Sequence, residues 1–139
     1  MINPEIKLAH VNASRKNTMI ELLGIEVTEL GKDYLIGKMP VDKRTHQPAG
    51  LLHGGASAAM IESLGSLGSS MIVDMSKYGI VGIEINANHL RPVREGLITA
   101  VTRPIHIGRT TQVWHIELFD QEGKPSCISR MTAGEIGPP

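Results

Sequence analysis

His53-Gly-Gly-Ala-Ser-Ala-Ala-Met60-Ile-Glu62-Ser-Leu64-Gly-Ser-Leu67-Gly-Ser-Ser-Met71-Ile-Val-Asp-Met75 is the stretch on which the fold turns. No proline interrupts it. Met60, Leu64, Leu67, Met71 and Met75 recur at spacings of four, three, four and four, the period of an α-helix. The other faces carry Ala56, Ala58, Ala59, Gly65, Gly68, Ser69 and Ser70 instead of charge. A helix that is apolar or small all round is a buried one. Its small residues allow a sheet to approach the helix backbone closely.

Upstream, residues 1–16 are mixed and polar, with room for one short helical turn. Thr18-Met-Ile-Glu21 has capping-box spacing and Gly24 supplies a stop, which predicts a short helix over 18–23. Ile25 and Val27 alternate with Glu26 and Thr28, Gly31-Lys-Asp33 reads as a turn, and Tyr34 to Val41 reads as a second strand. Residues 42–52 are a loop containing Pro48 and Gly50. Downstream, Ile80 to Leu90 alternates around Gly82, with Val81, Ile83, Ile85 and Ala87 on one face. Leu97 to Ile107 follows, with Pro104 marking a bulge or an edge. Gly108-Arg109 turns the chain into Thr111–Phe119, and Gln121 to Lys124 turns it again into a last strand over 126–135. The pattern predicts a short helix, two strands, a long helix and four strands joined by tight turns, which make antiparallel neighbours. One helix on one antiparallel sheet is an α+β, two-layer arrangement, and nothing divides residues 1–139 into more than one domain.

At 139 residues the chain is long enough to bury roughly 68% of its unfolded surface. Hydrophobic residues at 41% and charged residues at 20% argue against disorder. Fourteen basic residues balance fourteen acidic ones, which demotes nucleic-acid binding. The single cysteine, Cys127, excludes an intrachain disulfide and a Cys-rich zinc site, and the six histidines show no compact metal spacing. No metal or redox cofactor is therefore expected. No apolar run of about 18 residues is present, so no membrane span is expected. The first residues lack a basic region followed by an apolar run, which points to a cytoplasmic protein.

Phosphate-cradling and dinucleotide motifs are absent, as is His-Glu-x-x-His. His53-Gly54-Gly55 has the composition of some lipase oxyanion segments, yet no Gly-x-Ser-x-Gly elbow accompanies it. What remains is Gln47-Pro-Ala-Gly-Leu-Leu-His53-Gly54-Gly55, then Glu62 and Ser66. Glu62 is the one charged residue between His53 and Val73, inside a helix expected to be buried. A buried carboxylate is costly unless hydrogen-bonded or functional. The competing structural reading is that Glu62 faces solvent or pairs with a basic side chain. Ser66 lies at i+4 from Glu62 and shares its face, although taken alone such a serine is more often a packing residue than a site residue. The Gly54 and Gly55 amides stand at the helix start, where free N–H groups and the positive dipole end bind a developing oxyanion. Read alone, His-Gly-Gly is merely a tight turn into the helix.

The layout, with the run from Gln47 through Glu62 and Ser66, resembles the hotdog-fold acyl-CoA thioesterases, in which a curved antiparallel sheet wraps one long helix. It is similar to the branch of phenylacetate-degradation thioesterases, 4-hydroxybenzoyl-CoA thioesterases of one type and 1,4-dihydroxy-2-naphthoyl-CoA hydrolases. Asn86-Ala-Asn-His89-Leu-Arg91-Pro92, followed by Gly108-Arg109, is especially similar to the naphthoyl-CoA and enterobactin-associated hydrolases. The resemblance covers nearly all of residues 18–136. It implies that Glu62 is the catalytic carboxylate and that the Gly54 N–H polarises the thioester carbonyl. It implies that Gln47 and His53 hold the carbonyl region or aid the departing thiolate, and that Ser66 orients water or Glu62. His89, Arg91, Arg109 and Thr110 match the region that meets the coenzyme A nucleotide, coenzyme A being part of the substrate rather than a cofactor.

Gly54 and Glu62 are eight residues apart, roughly 12 Å along a helix. One thioester carbon does not reach both in a single chain, whereas two antiparallel helices from two chains bring one Gly54 near the other Glu62. A composite site in a homodimer is expected, and the resembled branch often doubles again to a dimer of dimers. The rival readings are a hotdog dehydratase or hydratase, using His53 with Glu62, and a non-catalytic acyl-CoA-binding module. The presence of Glu62 and Gln47 favours hydrolysis over both.

Overall fold

In a computed structural model, which describes residues 2–138, the long helix begins at Gly54 and ends at Ser70. The elements run α1 (Leu8–Ala13), α2 (Met19–Leu22), β1 (Glu26–Leu30), β2 (Leu35–Val41), α3 (Gly54–Ser70), β3 (Gly79–His89), β4 (Gly96–Ile107), β5 (Thr111–Phe119) and β6 (Pro125–Ile136). The six strands form one sheet in the order β1-β2-β4-β5-β6-β3, every neighbouring pair antiparallel, with α3 packed on one face. This is the expected α+β arrangement.

Close backbone approach sets the distance between the layers. A side chain at Gly68 would lie 2.8 Å from Trp114 Cη2, and one at Gly65 would lie 2.7 Å from Met131 Sδ. Trp114 is fully buried, and its Nε1–H donates to the buried Ser69 Oγ at 2.8 Å. The core follows the inward faces of the strands: Leu35 and Met39 on β2, Ile98 and Ala100 on β4, Trp114, Ile116 and Leu118 on β5, Met131 and Ala133 on β6. Met60, Ile61 and Leu64 of α3 pack into it.

Four expectations change. The helix stops before Met75, which is exposed. Beyond Ser70 the β-branched pair Ile72-Val73 disfavours helix, and Asp74 Oδ1 accepts from the Ser76 N–H and hydroxyl, forming a local turn that competes with it. The helix is also not buried all round, because Glu62 is exposed and Ala58, Ala59, Ser63 and Ser66 are half-buried. The capping box of α2 does not form. The Thr18 hydroxyl donates back to the Arg15 carbonyl, and the Glu21 carboxylate takes the N–H of Asn17, which has a φ of 60°. Finally, a bulge between Gly82 and Glu84 breaks the alternation of β3. Ile80, Ile85 and Ala87 pack against the core, while Val81 and Ile83 are 40% and 60% exposed. The bulge inferred at Pro104 is present in β4.

The two sheet edges are treated differently. The Asn12 side chain lies along β1, donating to Val27 O at 2.7 Å and accepting from Val27 N–H at 2.9 Å, as a neighbouring strand would. Arg15 adds a bond to Ile25 O at 2.9 Å. At the opposite edge, β3 carries exposed Val81 and Ile83. An edge strand left bare and apolar is a template for pairing.

Removing the Ser69 hydroxyl leaves the Trp114 N–H buried without an acceptor. Ser69→Ala is expected to destabilise the fold by about 1–3 kcal/mol, measured by urea unfolding. A change below about 0.3 kcal/mol would show that this bond does not lock the layers.

Candidate active site

The loop that delivers the chain to α3 is pinned from both sides. The Thr45 hydroxyl donates to Pro40 O at 2.8 Å, His53 N–H bonds Thr45 O at 2.7 Å, and Leu52 N–H bonds Val93 O at 2.8 Å. At its start, Arg44 grips Asp42 through Nη2–Oδ2 at 2.8 Å and Nε–Oδ1 at 3.1 Å, which holds the Asp42 carboxyl down at about 2. Inside the loop, Gln47 N–H bonds Leu51 O at 2.7 Å and Gly50 N–H bonds Gln47 O at 2.9 Å. Gln47 Oε1 accepts the Ala49 N–H, so its Nε2 amide group remains a donor.

His53 caps the helix. Its backbone is extended (φ −68°, ψ 130°), and its Nδ1 accepts the Gly55 N–H at 2.7 Å. An Nδ1 that accepts leaves the neutral ring with its proton on Nε2. The sequence offered the Gly54 and Gly55 amides together, but the cap occupies that of Gly55. The Gly54 N–H has no hydrogen-bond partner among the described residues, so it is the free donor at the positive end of α3.

A pocket of about 310 Å³ opens at this point, lined by Gln47, Gly54, Ser57, His89, Arg91 and Ser126 among others. His89, on the inward face of β3, packs against Gly54: a side chain at Gly54 would lie 2.9 Å from His89 Nε2. Directly opposite His89 on β6 is Cys127. That pair does not make a thiol nucleophile, because Cys127 is buried and burial pushes its thiol up.

Glu62 does not line this pocket. It stands on the exposed stripe of α3, with no hydrogen bond or ion pair among the described residues. The expectation of a buried carboxylate is corrected in the single chain: the sheet ends at β3, which leaves that side of the helix open. Glu62 lies instead against Gly82 of β3. Ser66, one turn further, is half-buried. The four residues assigned by resemblance to coenzyme A fall into two groups. His89 and Arg91 border the pocket at the start of α3. Arg109 and Thr110 lie in the β4–β5 turn, where Arg109 borders a cleft with Ile72, Tyr78, Gln112 and Glu135, and Thr110 O accepts the Glu135 N–H. Sequence reasoning sets Ser57 aside because Ala59 stands where an elbow would need glycine, yet the structure buries it one turn from Gly54 and opens it to the pocket; its i+3 spacing from Gly54 is the available signal. It also read Gly82 as a strand residue only, although a glycine inside a strand pattern marks a bulge or a close approach.

The structure thus joins an α+β fold, a free helix N-terminal amide facing a pocket, and an exposed carboxylate two turns along the same helix. Residues 49–127 match the family described as the thioesterase superfamily, and the chain belongs to it. It is a thioester hydrolase with the hotdog architecture of its structural neighbours. It is similar to the crystal structure of a mutant of thioesterase PA1618 from Pseudomonas aeruginosa, with 51% identity, 98% of each chain covered and a TM-score of 0.95. Thioesterase HI1161 from Haemophilus influenzae is 44% identical, with 98% of this chain and 94% of that one covered and a TM-score of 0.93. Proofreading thioesterase EntH from Klebsiella pneumoniae is 46% identical over 133 residues, which is 96% of both chains.

No side chain fits at Gly54 without displacing His89, and Gly54 needs no unusual backbone geometry. Gly54→Ala is expected to keep the fold, seen by circular dichroism, and to lower thioester hydrolysis about 10- to 100-fold. Unchanged hydrolysis would show that the Gly54–His89 contact is incidental.

Proposed function

We propose that the chain hydrolyses acyl-CoA thioesters, with aryl-acyl groups as the substrate class, in a site shared between two copies. The observation that carries this reading is the unpartnered Gly54 N–H, beside the donor group of Gln47, at the positive end of α3. Both donors suit a thioester carbonyl whose oxygen gains negative charge during attack. One such donor is worth roughly 3–4 kcal/mol in a transition state. The Nε2–H of His53 is a third donor at the same helix end.

The second copy supplies Glu62. The bare β3 edge favours pairing with another β3 about a twofold axis, which runs the two α3 helices antiparallel. The His89–Arg91 end of one copy then meets the Gly79 end of the other, where Arg109 and Thr110 stand. The two halves of the coenzyme A group, separate in one chain, become neighbours in such a pair. A further doubling to a dimer of dimers belongs to the same reading, as do a cytoplasmic location and chemistry without a metal or redox cofactor. The aryl preference rests on the resemblance of the Asn86–Pro92 run.

In this mechanism the carbonyl oxygen sits on the Gly54 and Gln47 donors. Glu62 either takes a proton from water as that water attacks, or itself attacks to give a mixed anhydride that water then opens. The carbon–sulfur bond breaks, and the thiolate leaves with its electron pair and is protonated. The products are the free acid and coenzyme A.

Thiol release measured with Ellman's reagent over benzoyl-, hydroxybenzoyl-, hydroxynaphthoyl-, phenylacetyl-, hexanoyl- and palmitoyl-CoA tests this. Aryl thioesters are expected to be turned over fastest, with Glu62→Gln losing about 100-fold or more. Folded protein that releases no thiol from any of them would sink the acyl-CoA reading, and a preference for the aliphatic pair would sink the aryl part alone.

A further inference from the structure

We propose that Gly82, with the bulge that follows it in β3, is a positioning residue that sets the direction of the Glu62 carboxylate. The proposal rests on the reading of Glu62 as the hydrolytic carboxylate. A side chain at Gly82 would overlap Glu62 Oε1 and lie 3.1 Å from its Cδ and 3.5 Å from its Cγ. The three nearest atoms all belong to that one side chain. By contrast, the space at Gly65 is taken by Met131 and that at Gly68 by Trp114, both core residues. Those two glycines serve packing, whereas the gap at Gly82 admits a carboxylate.

The backbone does not require glycine here. Positive φ occurs at Gly24, Gly50, Gly96 and Gly123 but not at Gly82. Glycine inside a strand weakens it, so its presence calls for a close neighbour. The bulge shapes the same spot. Gly82 faces inward opposite Ala133, Ile83 is thrown outward over Gly134, and the next inward residue is Ile85 opposite Met131. The inward face beside Glu62 therefore has no side chain between Ile80 and Ile85. Bulges of this kind re-aim groups beside active sites.

Within its own chain Glu62 is exposed, and its carboxylate lies over Gly82. No cation or hydrogen-bond donor holds its carboxylate among the described residues. A glutamate without a partner in its own chain is free to turn about its side-chain bonds, and the strand at Gly82 removes part of that freedom.

The test compares Gly82→Ala in the wild-type chain and in Glu62→Asp, with Glu62→Gln as control, using the best acyl-CoA substrate. In the wild-type chain the added methyl group pushes Glu62 aside. We expect kcat to fall about 10- to 100-fold, with KM changed less than about threefold and an unchanged melting temperature. Aspartate is one methylene shorter and withdraws from the added methyl group. In that background the same change is expected to alter kcat by less than about twofold, a non-additivity that a general structural defect does not produce. Equal losses in both backgrounds, an unchanged kcat in the wild-type chain, or an unfolded Gly82→Ala protein would overturn the proposal. Full activity in Glu62→Gln would show instead that the carboxylate reading itself has failed, and the positioning role with it.

Discussion

The contact between α3 and the sheet is made without side chains on the helix at Gly65 and Gly68, and the Trp114–Ser69 hydrogen bond fixes its register. Everything that the site uses is referenced to that contact. With α3 held against β5 and β6, its N-terminus falls beside the end of β3, and the Gly54 amide meets the His89 ring. Two turns further on, the same seating puts Glu62 against Gly82. A larger residue at Gly65 or Gly68 would lift the helix and move both ends of the site together, since interiors are packed too tightly to absorb the change locally.

The cap and the free amide divide the labour at the helix start. A helix leaves its first N–H groups without intrahelical partners. Here His53 satisfies one of them, at Gly55, and by doing so turns its own Nε2 proton outward. Gly54 is left open with the helix dipole behind it, next to a glutamine whose oxygen is already engaged by Ala49. The free Gly54 N–H and the Gln47 amide group are thus two donors that line the same pocket. On the proposed reading these donors receive the thioester carbonyl oxygen as it gains charge. Within one chain Glu62 stands two turns further along the helix and does not line the pocket at Gly54.

Most of the fold was legible because its signals are local. The heptad-like spacing from Met60 to Met71 and the alternation from Thr111 to Phe119 both report which face is buried, and both hold in the structure. Met75 was misread because periodicity alone does not see that Asp74 offers the backbone a competing turn. The β3 alternation was misread because one inserted residue, Ile83, reverses the faces of everything after it. At the site, the helix-start glycines were legible from spacing, but the capping of Gly55 by His53 depends on a ring orientation that spacing does not encode. The exposure of Glu62 was missed for a different reason. A helix face with small residues reads as buried, whether its cover comes from the same chain or from another.

A cover supplied by another chain is what the proposed shared site requires, with the donors of one copy and the Glu62 of a second copy acting on one thioester. Subunit mixing tests it directly. Gln47→Ala and Glu62→Gln proteins, each expected to be nearly inactive alone, are dissociated, mixed in equal amounts and reassociated before thiol release is measured. A shared site places one intact Gln47 and one intact Glu62 together in each mixed dimer, so about a quarter of all sites regain both groups and activity returns toward a quarter of wild type. Activity that stays at the level of the separate variants, with exchange of subunits verified, would contradict the account and place both groups of each working site within one chain.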